Sequence, residues 1–253
     1  MLTANSYLTA VVFGSSILSI FIYALENDLK QIQYQDALCV VRTYIGYASC
    51  ALLNFSFLLQ ALYRYIIVVY PSRLFWQSAR CQMLAICLTW IFSFVCPFEF
   101  LFNGEIIYNS DNQMCVLPLQ LSFSVIYYLS CAYVIPIVLL MFIYFKLVKY
   151  VKGMSNRVTS VNTLSRARRE LKMVRRLVIL VTIVIAICFP YTIFTLMSFF
   201  NHAPKYLFRI AFMFVGTSLL SVIIVLFQFT DPLKASVITR IKPKPNIVAT
   251  IIV

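Results

Sequence analysis

The sequence predicts an all-α, polytopic transmembrane helix bundle, on three observations. Of its 253 residues, 62% are hydrophobic and 11% charged, against roughly 25% charged in soluble domains. Six stretches are apolar over about 20 residues, the length that crosses roughly 30 Å of hydrocarbon. The charges that remain are sorted by sign into alternate loops, as topogenic charge is in membrane proteins.

The six spans fall near 5–25, 39–69, 81–102, 119–149, 171–200 and 206–233, within a single transmembrane domain over 1–253 that ends in a short tail, 234–253. Each must be helical, because lipid offers the backbone no other hydrogen-bonding partner unless a sheet closes on itself. Five glycines and no alternating polar pattern argue against a barrel. Sixteen tyrosines and 22 phenylalanines suit interfacial aromatic belts. Met1 precedes an apolar stretch with no basic n-region and no small-residue cleavage site, so the first segment reads as a retained span.

The loops set the orientation. Residues 146–176 hold ten Lys/Arg against one acid, Glu170, with Arg73 and Arg80 in the 70–82 loop and Arg240, Lys242 and Lys244 in the tail. The opposite loops carry Glu26, Asp28, Asp36, Glu99, Glu105 and Asp111. Cytoplasmic loops are enriched in Lys/Arg, so the basic loops and both chain ends are expected in the cytoplasm of a multi-pass cell-membrane protein. The net charge of +13 is thereby assigned to topology and lipid contact rather than to nucleic acid. The 146–176 stretch reads either as a solvated topogenic loop or as a contact surface for a cytoplasmic partner. Its 165–176 segment, SRARRELKMVRR, suits an amphipathic inward extension of the fifth span.

Eight cysteines without a CxxC pair, and a single histidine, His202, give no metal cluster and imply no cofactor. The same scarcity argues against an intramembrane enzyme, which needs an inward-facing Ser/His, paired-Asp or metal set. Cys39 precedes Arg64 by 25 residues, about 37 Å of helix, which places the two at opposite ends of one span. Cys115 lies in an acidic outer loop. On the oxidising side Cys39 and Cys115 can bridge; the alternative is two free thiols. The other six (Cys50, Cys81, Cys87, Cys96, Cys131 and Cys188) read as small apolar fillers.

Arg64 stands between Tyr63 and Tyr65, with Pro71 seven residues on. An arginine at a membrane edge marks an interface, a buried partner or a switch. The segment resembles the D-R-Y signature of rhodopsin-like G-protein-coupled receptors, with Tyr63 in place of the acid. Other matches follow in order: the outer cysteine 25 residues before that arginine; a lone Trp90 in the next span; Pro136 with Tyr144 eight residues on; Glu170 twenty residues before Pro190; and Asp231-Pro232 in place of the last helix's N-P motif. The resemblance covers the second to seventh helices of a seven-helix receptor. On that reading the first helix is missing, and the chain is expected to be a fragment or a mis-started gene model.

The resemblance implies a signal-transducing receptor with no enzymatic activity. It would carry an extracellular ligand signal to a heterotrimeric G protein gripping the 70–82 and 146–176 loops. It implies a switch set of Arg64, Tyr63, Tyr65, Tyr144, Glu170, Pro190, Asp231 and Pro232. An Arg64–Glu170 pair would hold the resting state, with Tyr144 as the alternative partner; otherwise Arg64 snorkels to lipid phosphate. Pro136 and Pro190 would kink their helices. Tyr47, Cys50, Tyr128, Cys188, Tyr191 and Thr195 would line an apolar, tyrosine-rich ligand pocket, unless those tyrosines are core aromatics.

The departures narrow the ligand. Gly46 stands where amine receptors carry an aspartate, and Val225 where opsins carry their lysine, so amines and retinal are disfavoured. The first span has no aspartate to help Asp231 hold sodium. Cys188 replaces the toggle tryptophan, and Ala235 replaces the seventh-helix tyrosine. Acidic outer loops point to a cationic peptide. The rival readings are a non-signalling multi-pass membrane protein and a secondary transporter, which would want broken helices and inverted repeats.

Overall fold

The computed structural model describes residues 1–30, 38–72, 74–118, 122–155, 161–200 and 206–229, with the backbone alone at some helix positions. The expected bundle is present. Its elements are α1 (Leu2–Lys30), α2 (Cys39–Val69), α3 (Leu74–Gln77), α4 (Ala79–Val95), α5 (Phe98–Phe102), β1 (Ile107–Asn109), β2 (Met114–Val116), α6 (Phe123–Leu129), a π-helical turn (Ser130–Val134), α7 (Ile135–Ser155), α8 (Val161–Phe199) and α9 (Leu207–Phe229). Five spans pass on length and composition, and α8, bent by 47° between residues 187 and 192, makes a sixth.

Local sequence sets the breaks. α2 ends at Tyr70, whose φ of −125° and ψ of 60° leave the helical region because Pro71 follows and crowds it. Ser78 caps α4, accepting from Cys81 N, and Ser122 caps α6, accepting from Val125 N. Pro97 interrupts the third span between α4 and α5. At Pro190, within α8, the span bends but continues.

Four findings differ from the sequence reading. First, the basic 146–176 stretch is mostly helix: α7 runs to Ser155 and α8 starts at Val161. Both helices run into this basic stretch, and α8 begins a few residues before the inward extension expected from 165–176. Second, the fourth span is not one α-helix but α6, a π turn and α7. Third, the acidic outer loop forms an antiparallel hairpin with Ile107 opposite Val116, Tyr108 opposite Cys115 and Asn109 opposite Met114. Its turn is held by Asn109 Oδ1, which accepts from Asn112 N and Nδ2, and Gln113 adopts φ 57°. Fourth, α1 is helical from Leu2 to Lys30, longer at both ends than 5–25.

α2 is the pivot of the bundle, packing against α1, α4, α7 and α8. The inner core, so called for the orientation expected from the loop charges, joins Phe13, Leu53, Phe57, Leu147 and Val174, among others, from α1, α2, α7, α8 and α9. Gly14 lets α1 and α9 close: a Cβ there would lie 3.1 Å from Leu219 Cδ2. A polar seam ties α1, α2 and α4 together. Trp90 Nε1 donates to Asn5 Oδ1 at 3.0 Å, Asn5 Nδ2 to Ser56 Oγ at 3.2 Å, and Gln60 Nε2 to Ser6 Oγ. On α4, Leu84, Leu88, Ile91 and Val95 remain exposed at helical spacing, the face expected to meet lipid.

Candidate functional site

Two constellations stand out, one at each end of α2. At the inner end, Arg64 Nη1 donates to Glu170 Oε2 at 2.9 Å, joining α2 to α8. The Glu170 side chain is 4% exposed against 27% for Arg64, so the carboxylate is the desolvated member. Arg169, at the surface, brings Nη2 to 3.9 Å from Glu170 Oε1. The carboxylate thus lies between one cation inside the bundle and one outside. A charge-assisted contact in this setting is stronger than a surface pair.

The neighbours of Arg64 do different work. Tyr63 OH accepts from Gln82 Nε2 at 2.9 Å, tying α2 to α4 rather than to α8. Tyr65 and Tyr144 are half-buried against the inner core, and the Tyr144 ring lies 5.8 Å from that of Phe145. Pro190 stands at the bend of α8, about three-quarters of the way along a 39-residue helix. Asp231 and Pro232 lie outside the described residues.

At the outer end, Cys39 and Cys115 form a disulfide with Cα atoms 5.6 Å apart. Thr43 Oγ1 donates to the Cys115 carbonyl at 2.8 Å, so β2 is fastened to α2 twice. Met114 and Val116 pack with Ile20 and Ala24 of α1 and with Phe208 and Phe212 of α9, which seats the hairpin across the outer mouth. Arg209 of α9 grips it from the far side. Its two terminal nitrogens meet Asp28 at 2.7 and 2.8 Å, and Nε donates to the Asn112 carbonyl at 3.3 Å.

Beneath the hairpin, Tyr47 and Tyr128 meet edge to face at 5.3 Å, each also contacting Phe100. Tyr128 OH donates to the Tyr47 carbonyl at 2.8 Å, and Cys50 Sγ lies 2.8 Å from Tyr133 OH. Tyr128 is buried, so in this state it is part of an aromatic core. Cys188, Tyr191 and Thr195 belong to α8 near its bend, but their side chains lie outside the described residues.

Sequence reasoning missed Phe100, Gln82, the Arg209–Asp28 pair and Asn54. Asn54 Nδ2 donates to the Ala132 carbonyl at 2.9 Å. Pro136, four residues on, has no N–H to offer that carbonyl, and Ile135 N closes a π turn to Ser130 O instead. The available signal was a lone amide in the apolar run ALLNFSFLL, and, for the hairpin, the turn-forming NSDNQ between IIY and MCV.

The sequence of residues 4–232 matches the family model for the 7 transmembrane receptor (rhodopsin family). The chain belongs to this family. A curated relative, the green-sensitive opsin-1 of Danio rerio, is 26% identical over 215 residues, which cover 80% of this chain and 60% of the relative. The chain therefore spans about 60% of the length of that relative. This rhodopsin-family chain is a multi-pass membrane protein with a disulfide between Cys39 and Cys115. Its family is one of receptors rather than enzymes.

Proposed function

We propose that the protein receives an extracellular ligand and passes the signal to a heterotrimeric G protein when α8 swings away from α2. The observation that carries this reading is the Arg64–Glu170 pair, an ion pair with a buried carboxylate that joins the two helices at their inner ends. The bend in α8 at Pro190 supplies a pivot, and the basic inner ends of α7 and α8 supply the surface a partner would grip. On this reading the membrane is the cell membrane, the basic ends and both termini are cytoplasmic, and the hairpin faces outward.

The ligand proposed is diffusible, in contrast to what the relative's name suggests, because Val225 stands where the resemblance puts the opsin lysine. Glu99 and Glu105 both reach Ser124 Oγ, at 3.2 and 2.7 Å, and this acidic outer patch favours a cationic peptide.

The test is Glu170→Gln, read as ligand-free nucleotide exchange on G protein in membranes. Replacing a charge-assisted contact by a neutral one removes about 1.4 kcal/mol from the closed state, so basal exchange should rise roughly tenfold. Equal basal exchange at equal surface expression would refute the lock and leave a non-signalling membrane protein or a transporter.

A further inference from the structure

The side chains of α7 divide into two stripes. Leu140, Ile143, Leu147 and Val151 turn into the inner core. Val138, Phe142 and Phe145 lie on the opposite side and stay exposed, as on a helix with one face on protein and one on lipid. Lys149 and Lys152 follow Phe145 by four and seven residues, so they continue the exposed stripe, and both are exposed themselves. Lys146 stands beside it, with Nζ 5.3 Å from the centroid of the Phe142 ring, a cation–π distance. Tyr150, also exposed, adds a phenolic hydroxyl next to Lys149.

Helix length gives the depth of this row. The fourth span opens at Phe123 of α6, which is exposed. Phe145 comes 22 residues later, about 33 Å of helix, close to the roughly 30 Å of a hydrocarbon core. On the proposed orientation Phe145 therefore marks the inner edge of the hydrocarbon. Lys146 falls at the level of the glycerophosphate. Lys149 lies about 6 Å beyond Phe145 and Lys152 about 10 Å beyond, the latter past a headgroup layer of roughly 5–7 Å.

Little in the chain can neutralise the row. Six of the eight acids belong by sequence to the loops of the other end. Glu170 lies between Arg64 and Arg169. Asp231 lies outside the described residues, and a single carboxylate answers at most one of three lysines. Clustered cations just inside a span attract anionic lipid.

We propose that Lys146, Lys149 and Lys152 bind a phospholipid of the inner leaflet whose inositol head carries phosphate monoesters, its acyl chains lying on Val138, Phe142 and Phe145. A serine head stays within the headgroup layer; a phosphorylated inositol stands above it and reaches Lys152 as well. The inference rests on the receptor reading for orientation alone and makes no use of G-protein coupling. The exposed cations of α8, Arg169, Lys172 and Arg175, remain for a protein partner.

The experiment mixes the full 253-residue chain, purified in mild detergent, with phosphatidylinositol 4,5-bisphosphate and counts bound lipid by native mass spectrometry. This lipid should bind roughly tenfold more tightly than phosphatidylserine, with phosphatidylcholine weakest. Inositol 1,4,5-trisphosphate, the head without its chains, should displace it poorly. Lys149→Gln with Lys152→Gln should weaken binding roughly 25-fold, about fivefold per lysine, and the two arginine substitutions should keep it. Lys172→Gln with Arg175→Gln removes the same charge from α8 and should change little. Equal affinity for phosphatidylserine, equal displacement by the soluble head, or equal losses from the α7 and α8 pairs overturns the proposal. Lys152→Cys tests orientation separately, with an impermeant maleimide on whole cells; labelling above the unsubstituted chain is expected only after permeabilisation. Labelling of intact cells overturns the inner-leaflet placement whatever the binding result. Inner labelling without lipid preference overturns the lipid site and leaves the receptor reading standing.

Discussion

Replacing Asn54 by leucine tests whether the π-helical turn before Pro136 is held from the neighbouring helix. The Ala132 residue is fully buried, and its carbonyl loses its ordinary helical donor because residue 136 is proline. Asn54 Nδ2 donates to it at 2.9 Å from α2. Leucine is close to asparagine in shape but donates nothing. In water-soluble proteins an orphaned buried carbonyl costs about 1–3 kcal/mol. Hydrogen bonds between membrane helices average nearer 0.6 kcal/mol by double-mutant cycles, with model peptides at about 1–2. A loss of about 1 kcal/mol is therefore expected, or a Tm lower by roughly 2–4 °C for a chain of this size. A thiol-reactive fluorophore reads unfolding through buried Cys96, with Cys87→Ser as background because Cys87 is exposed. The decisive arm is Pro136→Ala, which restores an N–H four residues after Ala132. In that background Asn54→Leu should cost half as much or less, since the carbonyl has a second donor. The same loss in both backgrounds would refute the reasoning.

Cys115→Ser opens a link across 76 residues, which on chain entropy alone is worth about 4–5 kcal/mol. The flanking spans already restrain the chain, so the measured loss should fall below that ceiling, with faster hydrogen exchange at 107–116 as the local sign. Arg209→Gln and Asp28→Asn should show a coupling of about 0.5–1 kcal/mol in a double-mutant cycle, because both side chains are about a third exposed. The coupling should shrink in high salt; a salt-independent value would contradict the assignment. Burial pushes the Tyr108 phenol above its ordinary range, with Tyr23 and Asp28 adding to the shift. The folded state thus holds that proton more tightly, and the stability it contributes is whole below about pH 10 and lost as pH climbs through the raised value. Tyr108→Phe should flatten that alkaline loss in pH-dependent melts.

The helical bundle was legible because it rests on apolar length read along each helix, and the Cys39–Cys115 bridge because Cys39 falls at one end of its helix and Cys115 in a loop expected on the same side. α2, predicted over 39–69, runs Cys39–Val69. What stayed hidden depends on relations between helices. Nothing along α2 says that the Asn54 amide faces Ala132, or that Gln82 on α4 meets Tyr63. The hairpin escaped because its strands are three residues each, too short for alternation to stand out from an apolar background. The pocket residues were placed by family correspondence. Tyr47 and Tyr128 do come together, but with Phe100, a residue that correspondence does not name.

The geometry at Arg64 sharpens what the substitution at position 63 means. An acid there would share the guanidinium with Glu170 from within α2 itself. Tyr63 instead spends its hydroxyl on Gln82 of α4, which leaves the contact to Glu170 as the described ion pair of Arg64. Beside the apolar packing of α2 on α8, the polar link described between them is thus this one ion pair. Glu170 is the costlier partner to expose alone, being almost fully buried, and removing one member of a buried pair costs more than the pair itself contributes. Arg169 bears on that cost. At 3.9 Å from the second carboxylate oxygen, on the same helix, it travels with Glu170 if α8 moves. A carboxylate that leaves Arg64 therefore keeps a cation beside it, and the open arrangement escapes the full penalty of an uncompensated charge. The substitution at 63 removes a local partner, and the neighbour at 169 lowers the cost of parting from the distant one. On the proposed reading the two act in opposite senses, Tyr63 leaving Arg64 to Glu170 and Arg169 easing their separation, so that the pair would hold a closed state by a few hydrogen bonds' worth of energy rather than by an irreversible burial.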